Sequence, residues 1–151
     1  MKIAIANYNP SIVFLQETWL NAECDNIVIP NYSIVARRDR AESENRGGVI
    51  TFCRSDLQVS IAHVYSSTIA ERIWHVLVTQ AGTVFLCNWY RPGASDNEMI
   101  TSFRDEYIEY ASDSLACIVA GDLNIHSKDW LRFSNANTRE GDIMREICEE
   151  L

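Results

Sequence analysis

The stretch CIVAGDLNIHSKDW, residues 117–130, decides the fold of this chain. It begins as an apolar run, typical of a buried strand, and passes through Gly121 into a polar segment that holds Asp122, Asn124 and His126. Ligands of open α/β sheets collect at the carboxyl ends of strands, so this concentration of hydrogen-bonding groups indicates a functional site. The alternative is an Asx turn, in which Asp122 and Asn124 bond only the local backbone.

The composition is that of a globular domain. The chain has 151 residues, of which 47% are hydrophobic and 23% charged, which suits one domain with its own core. No stretch approaches the roughly 20 apolar residues of a membrane span. The apolar N-terminal segment is interrupted by Asn7, Asn9 and Pro10 without a cleavage site, so we expect a nuclear or cytoplasmic protein that is not secreted. The five dispersed cysteines, which form no CxxC pair, predict reduced thiols and no zinc site.

The formal net charge of −8 restricts the possible functions. Proteins that bind DNA without metal ions usually carry a basic surface, which this chain lacks overall. A divalent cation can reverse the local field and let an acidic protein engage phosphate. The charge therefore argues against a passive DNA-binding module more strongly than against a metal-dependent enzyme.

Apolar runs separated by polar segments predict a sheet-rich α/β domain. We expect strands over residues 11–16, 32–37, 47–54, 57–64, 72–79, 83–90 and 115–122, the first and last of them buried, with a tight turn at Ala81-Gly82. A short helix is expected over residues 2–8. Ser95 and Glu98 form a capping box for a second helix, and Asn137 with Glu140 predicts the start of a third.

Two further strand ends carry chemistry. The stretch FLQETW places Glu17 just past an apolar run, where its carboxylate is either a metal ligand or the cap of the following loop. The stretch NWYRPG brings Tyr90 and Arg91 to another strand end. A phenol and a guanidinium suit phosphate recognition, although Pro92-Gly93 also makes this an ordinary turn.

Several other residues leave both a functional and a structural interpretation open. His126 either contacts the site or braces its loop, and Trp130 is either a packing anchor or an aromatic wedge against DNA. The two glycines in NRGGVITF indicate a bulge or a close backbone approach rather than a phosphate loop. The basic cluster consists of Arg37, Arg38, Arg40 and Arg46. It is either a solvated loop or a contact with a nucleic-acid backbone.

A glutamate, a tyrosine and an Asp-x-Asn pair thus end three separate strands, within LQET, YRPG and GDLN. In this order the stretches resemble the endonuclease/exonuclease/phosphatase superfamily, and within it the apurinic-endonuclease-like domain of non-LTR (LINE-type) retrotransposons. The resemblance runs from about Pro10 to the end of the chain. GDLNIHSKDW is its most specific part, and PSIVFLQETWL and RGGVITF support it.

The resemblance implies a fold and an activity. The fold would be a four-layer αββα sandwich, and residues 1–151 would be an incomplete domain of this type. The activity would be phosphodiester hydrolysis with Mg²⁺ or Mn²⁺, which in this branch nicks DNA to prime a reverse transcriptase. The implied catalytic residues are Glu17 as metal ligand, Tyr90 on the scissile phosphate, Asp122 on the attacking water and Asn124 beside it. Arg91 and His126 are the candidate substrate-binding residues.

Two departures from the family pattern shape the alternatives. No strand with an Asn precedes Glu17, and the Ser-Asp-His segment of the family would lie beyond Leu151, so we expect a fragment truncated at both ends. The partners would be DNA and the reverse transcriptase region of a longer polyprotein. The alternatives are a phosphatase of the same superfamily and a non-catalytic interaction fragment. An incomplete sheet would expose an edge and favour self-association.

Overall fold

The computed structural model describes residues 2–24, 27–40, 46–57, 60–93 and 96–151. Within these ranges the chain forms seven strands and three helices. The strands are β1 (Ile12–Gln16), β2 (Tyr32–Arg38), β3 (Val49–Arg54), β4 (Ile61–Ser66), β5 (Glu71–Thr79), β6 (Gly82–Tyr90) and β7 (Ala116–Asp122). The helices are α1 (Lys2–Tyr8), α2 (Glu98–Tyr110) and α3 (Arg139–Glu150).

The strands form two sheets. The first has the order β1-β3-β2 and is antiparallel throughout. The second has the order β4-β5-β6-β7, in which only the β6–β7 pair is parallel. A parallel pair needs a long crossover connection, and α2 supplies it between β6 and β7. The β5–β6 hairpin turns just before Gly82, close to the predicted turn.

The sheets pack face to face, with helices on both outer surfaces. Between the sheets, Val49 of β3 packs against Ile73 and Tyr90 of the second sheet. On the outside of the second sheet, Phe103 of α2 stacks on the rings of Trp74 and Trp89, and α3 adds Met144 and Ile147 to the same cluster. On the outside of the first sheet, Ile5 of α1 packs near Ile50 and Phe52 of β3. The predicted α/β sandwich is therefore the observed fold.

Three strand predictions need correction. Strand β1 is half-buried along its whole length rather than buried, because it pairs only with β3 among the described strands. The strand expected over residues 57–64 begins at Ile61, since Leu57 lies in a turn, and Val59 is outside the described residues. Strand β7 is largely exposed rather than buried, because it is the last strand of its sheet in the described part of the chain.

The helix starts differ from the predicted caps. Ser95 is outside the described residues, and α2 has Asn97 as its N-cap, without a side-chain hydrogen bond. Helix α3 is capped by Thr138, whose hydroxyl accepts the Gly141 N–H at 3.2 Å. Asn137 instead accepts the Lys128 N–H, so its side chain closes the preceding loop. No helix of the described ranges has the length and hydropathy of a transmembrane segment.

Candidate active site

The tips of β6 and β7 place Tyr90 and Asp122 side by side. The parallel register pairs Tyr90 directly with Asp122, and paired residues of neighbouring strands point to the same face of a sheet. Gly121 makes this pairing possible, because its φ of 149° and its closeness to the Trp89 carbonyl leave no room for a Cβ atom. The two predicted site residues therefore share the face that is turned towards the other sheet.

Glu17 reaches the same place from the first sheet. It follows β1 directly, and its carboxylate accepts a hydrogen bond from the Tyr90 hydroxyl. The Trp19 indole N–H donates a second hydrogen bond to Glu17 Oε2, at 3.2 Å. Tyr90 thus lies between two of the predicted site residues, paired with Asp122 in its own sheet and facing Glu17 from the other.

These contacts set the protonation of the Glu17–Tyr90 pair. The hydrogen bonds from Tyr90 and then from Trp19 lower the pKa of the exposed Glu17 carboxyl, and the charge of Arg40 adds to the effect. Burial raises the pKa of Tyr90 to about 12, and the hydrogen bond to Glu17 contributes. At neutral pH the site therefore presents an ionised carboxylate next to a phenol that keeps its proton.

The backbone around Glu17 is held in an unusual conformation. Glu17 and Trp19 have φ values of 49° and 57°, in the left-handed region that L-residues rarely adopt. The Trp19 N–H donates to the Gly47 carbonyl at 2.9 Å, and the Thr18 N–H to the Gly48 carbonyl at 3.3 Å. The diglycine of NRGGVITF is thus a close backbone approach, one of the two structures predicted for it.

Two side-chain amides join the two sheets next to this point. Asn88 of β6 is fully buried and accepts a hydrogen bond from Gln16 Nε2 at 2.7 Å. Its amide nitrogen donates to the Ile50 carbonyl and to Thr51 Oγ1 of β3, at 3.0 and 3.1 Å. Asn88 therefore fixes the spacing between the strand that ends at Glu17 and the strand that ends at Tyr90.

The loop after β7 forms the Asx turn that was one interpretation of Asp122 and Asn124, and it also leaves both side chains available for a site, which was the other. Asp122 Oδ1 accepts the Asn124 N–H at 3.2 Å, which is an Asx turn. The Asn124 amide donates to the Arg91 carbonyl at 2.8 Å, and its φ of 50° is left-handed. Both side chains nevertheless stay exposed, so the turn presents them to solvent rather than enclosing them.

Arg91 and His126, the candidate substrate-binding residues, occupy different positions. The Arg91 side chain is fully buried, with Nη1 donating to the Leu123 carbonyl at 3.3 Å and Nη2 lying 3.9 Å from Glu140. These contacts place Arg91 beneath the loop rather than on its surface. His126 is exposed, while its backbone accepts and donates hydrogen bonds with Thr138 at the start of α3.

A cavity of about 570 Å³ adjoins this loop on its outer side. Asp122, Asn124, His126 and Trp130 line it together with apolar residues of β7 and α3. Glu17 and Tyr90 do not line it, so the converging strand tips and the cavity share only the Asp122 loop. Trp130 is 38% exposed where it lines this cavity.

The oxygen donors at the site fit a hard divalent cation. Among the described residues no three His, Cys, Asp or Glu side chains lie close enough to form a metal-binding cluster. Mg²⁺ commonly keeps several waters and uses only one or two carboxylates of the protein. The ionised, exposed carboxylate of Glu17 is a donor of this kind, and Asp122 offers a second exposed carboxylate on the same face.

Sequence reasoning missed the residues that support the site. Gln16 and Asn88 act through a hydrogen bond between the sheets, and Trp19 acts through its indole N–H. A signal for Asn88 was present, because a lone amide in the apolar run TVFLCNWY, two residues before Tyr90, shares its face in a strand. The partner of each amide lies far away in sequence, so its contact was not predictable.

Two packed sheets with outer helices, and an acid, a phenol and an Asp-Asn turn at converging strand ends, define a nuclease-like α/β domain. Residues 4–144 match the Endonuclease/Exonuclease/phosphatase family, and the chain belongs to this family. Members of the family generally depend on divalent metal ions. No curated protein sequence matches the chain.

A solved structure shares the fold. It is the endonuclease domain of TRAS1, a telomere-specific non-LTR retrotransposon, with a TM-score of 0.72 and 16% sequence identity. The match covers 98% of this chain and 61% of that domain. The chain therefore spans less than two thirds of the length of this structural neighbour.

Proposed function

We propose that this chain is a divalent-metal-dependent phosphodiesterase that nicks DNA, from the endonuclease region of a non-LTR retrotransposon. One observation carries the proposal: the tips of β6 and β7 pair Tyr90 with Asp122, and the Glu17 carboxylate approaches Tyr90 from the other sheet. The family and the TRAS1 neighbour favour the same reaction. The expected surroundings are the nucleus or cytoplasm, with the reverse transcriptase region of a longer polyprotein as partner.

The proposed chemistry assigns each group a role. Glu17 would hold Mg²⁺ or Mn²⁺, which supplies Lewis-acid stabilisation of the leaving oxygen when bound. Tyr90 keeps its proton, since its pKa is raised to about 12, and its hydroxyl would turn from Glu17 to a non-bridging phosphate oxygen when metal and substrate bind. Asp122 orients the attacking water and accepts its proton. Asn124 stabilises the loop and contacts the phosphate.

The candidate substrate-binding residues act at the rim of this site. His126 is exposed in the cavity beside Asp122 and Asn124, where an imidazole can contact a neighbouring phosphate of DNA. Arg91 contributes from below, since its buried guanidinium holds the Leu123 carbonyl and places a positive charge under the loop. We therefore propose that Arg91 supports the phosphate-facing loop rather than contacting the substrate itself.

Plasmid nicking tests the proposal directly. The full chain is incubated with supercoiled DNA and Mg²⁺ or Mn²⁺, and is compared with Glu17→Gln, Tyr90→Phe and Asp122→Asn. Each variant keeps the size of the side chain, and we expect losses of about 100-fold or more for Glu17→Gln and Asp122→Asn. Asp56→Asn is the matched control, because Asp56 is an exposed strand-end carboxylate paired with Arg54.

Metal binding provides a second readout that does not need turnover. Mn²⁺ binding is followed by electron paramagnetic resonance, and we expect it to depend on Glu17 but not on Asp56. Nicking that persists in both Glu17→Gln and Asp122→Asn would contradict the proposal. A chain with neither nicking nor Glu17-dependent Mn²⁺ binding would also contradict it. A phosphomonoester substrate that is cleaved faster than DNA would favour the phosphatase alternative.

A second candidate function is self-association, and the exposure of β7 favours it. In the described part of the chain no strand pairs with the outer edge of β7, and the apolar side chains of Leu115, just before β7, and Ile118, within it, are 62% and 52% exposed. Unpaired strand edges with apolar side chains favour association between copies. Analytical ultracentrifugation tests this, with a dimer or larger species expected and Ile118→Lys expected to weaken it. A wild-type monomer would contradict it.

A further inference from the structure

Glu71 is a buried carboxylate that the proposed chemistry does not use. It begins β5, pairs with Tyr90 in the antiparallel β5–β6 ladder, and is 6% exposed. Its Oε1 atom accepts a hydrogen bond from Arg40 Nε at 2.6 Å, and its Oε2 atom accepts one from the Gly48 N–H. Burying a charge costs free energy unless the charge is paired in this way, which suggests that Glu71 has a role at the neighbouring site.

The contact with Gly48 connects Glu71 to the Glu17 loop. The carbonyls of Gly47 and Gly48 accept the N–H groups of Trp19 and Thr18, the residues directly after Glu17. Gly47 and Gly48, here called the diglycine turn, therefore bind Glu71 through an N–H group and the Glu17 loop through their carbonyls. The turn has little freedom, because a Cβ atom on Gly48 would lie only 2.6 Å from Thr18 Oγ1.

The contact with Arg40 connects Glu71 to Tyr90. The Arg40 guanidinium lies 5.9 Å from the centre of the Tyr90 ring. A cation over the face of an aromatic ring stabilises the position of that ring. Glu71 fixes the cation there, since Arg40 Nη2 also contacts its carboxylate.

We infer that Glu71 and Arg40 are positioning residues for the Glu17–Tyr90 pair, and that they hold the Glu17 carboxylate in the orientation that binds a divalent cation. This inference rests on the proposed function. The partners of metal ligands typically change metal affinity by about 10–100-fold when they are lost, while they contact neither metal nor substrate. Glu71 acts through the diglycine turn, and Arg40 acts through its contact with the Tyr90 ring.

The chain offers a matched control on the opposite face of the same sheet. Glu106 is a buried carboxylate that accepts a hydrogen bond from Arg72 Nε at 2.7 Å and another from the Trp74 indole. This pair has the chemistry of Glu71 and Arg40 but belongs to the packing of α2 against the sheet. If the loss of any buried ion pair lowers Mn²⁺ affinity, Glu106→Gln should lower it as well.

Mn²⁺ affinity and thermal stability of the full chain together test the inference. Glu71→Gln keeps an acceptor for Gly48 but loses the charge that holds Arg40, whereas Glu71→Ala loses both contacts. We expect Mn²⁺ affinity to fall about tenfold in Glu71→Gln and further in Glu71→Ala, measured at a temperature where each variant is folded. Arg40→Gln should give a loss similar to that of Glu71→Gln. Glu106→Gln should lower the melting temperature and leave Mn²⁺ affinity unchanged.

The outcomes separate this inference from the proposed function. Wild-type binding of Mn²⁺ that depends on Glu17 but is unchanged in folded Glu71→Gln, Glu71→Ala and Arg40→Gln would overturn the inference and leave the proposed function standing. Equal losses of affinity in Glu71→Gln and Glu106→Gln would overturn it too, because they would reveal a general structural effect. The absence of Glu17-dependent binding in the wild-type chain would instead overturn the proposed function itself.

Discussion

The two loops that supply the candidate site differ in how much of their support is local. The Glu17 loop takes its support from distant parts of the chain, through the carbonyls of Gly47 and Gly48. The loop that starts at Asp122 has its own Asx turn and contacts with the start of α3, and Arg91 of the neighbouring strand end adds a more distant support. The comparison shows that a loop conformation set by neighbouring residues can be predicted from the sequence. A conformation set by distant residues can be described only once the fold is known. The comparison also predicts that the two loops respond to different substitutions.

The largest expected effect comes from Gly121→Ala, which disturbs the start of the Asp122 loop. The new Cβ atom would overlap the Trp89 carbonyl, and the φ of 149° is unfavourable for alanine. We expect a loss of about 4 kcal/mol or more in the free energy of unfolding, measured by urea denaturation, or no folded protein.

Gly82→Ala is the control for this effect. Gly82 has a similar φ of 140°, but the nearest atom to its added Cβ would be Leu115 Cβ at 3.6 Å. Only the conformational cost remains, so we expect a loss of about 1–2 kcal/mol. Equal losses in the two variants would show that the approach of β7 to Trp89 does not constrain this loop.

The second expected effect concerns the sheet interface beside β1, the strand that ends at the Glu17 loop. His75 is fully buried there, with its ring 6.1 Å from that of Phe14 and 6.3 Å from that of His63. Burial is the main cause that lowers the pKa of His75 from 6.5 to about 4. The unfolded chain therefore binds a proton at a higher pH than the folded chain does.

The sign of the pH dependence follows from this difference. The stability due to a neutral His75 is fully present above pH 6.5 and is lost as the pH falls towards about 4. The loss should be on the order of 3 kcal/mol, at about 1.4 kcal/mol per pH unit. His75→Phe keeps the ring and removes the titration, so urea denaturation should show a smaller decrease in its stability over this range. An unchanged decrease in the variant would contradict the prediction.

The third expected effect is specific to the Glu17 loop. Gly48→Ala places a Cβ atom 2.6 Å from Thr18 Oγ1, in a backbone conformation with a φ of 85°. We expect a loss of about 2 kcal/mol in stability and weaker Mn²⁺ binding, because the loop must move. The double variant Thr18→Ala/Gly48→Ala removes the closest atom and should regain part of both losses. If it regains neither, the turn does not set the position of Glu17.

The smallest expected effect lies at the support of the Asp122 loop. Thr138→Val removes the hydroxyl that accepts the Gly141 N–H and the His126 N–H, both at 3.2 Å. Loss of such a cap costs about 1 kcal/mol. Mn²⁺ binding should stay unchanged, because this contact does not reach Glu17. A thermal scan with a parallel Mn²⁺ titration checks both parts, and a change in Mn²⁺ affinity would show that the two loops are coupled.

Much of the fold was predictable because it depends on local patterns. The apolar runs of β5 and β6 and their turn near Gly82 were predicted within one or two residues, since strand period and turn chemistry act over short distances. The burial of β7 was not predictable. Exposure depends on what covers a strand, and the described part of the chain places nothing beyond its outer edge.

The N-cap of α3 shows the same difference between what local sequence predicts and what a more distant contact decides. Asn137 and Thr138 are both good N-cap residues, so the local pattern allowed a helix start at either position. The Lys128 N–H binds the Asn137 side chain at 2.7 Å, and the cap therefore falls to Thr138. A contact across the loop decided between two choices that were locally equivalent.

The sequence by itself determined that an acid, a phenol and an Asp-Asn pair end separate strands, because alternation and turn residues mark strand ends locally. Only the tertiary structure decided that Glu17 bonds Tyr90, that Asn88 joins the sheets, and that Glu71 lies behind the diglycine turn. These contacts join residues between 23 and 73 positions apart, depending on how two sheets pack. The physical reason is that packing between sheets is a property of the whole core, whereas a strand end is a property of a few residues.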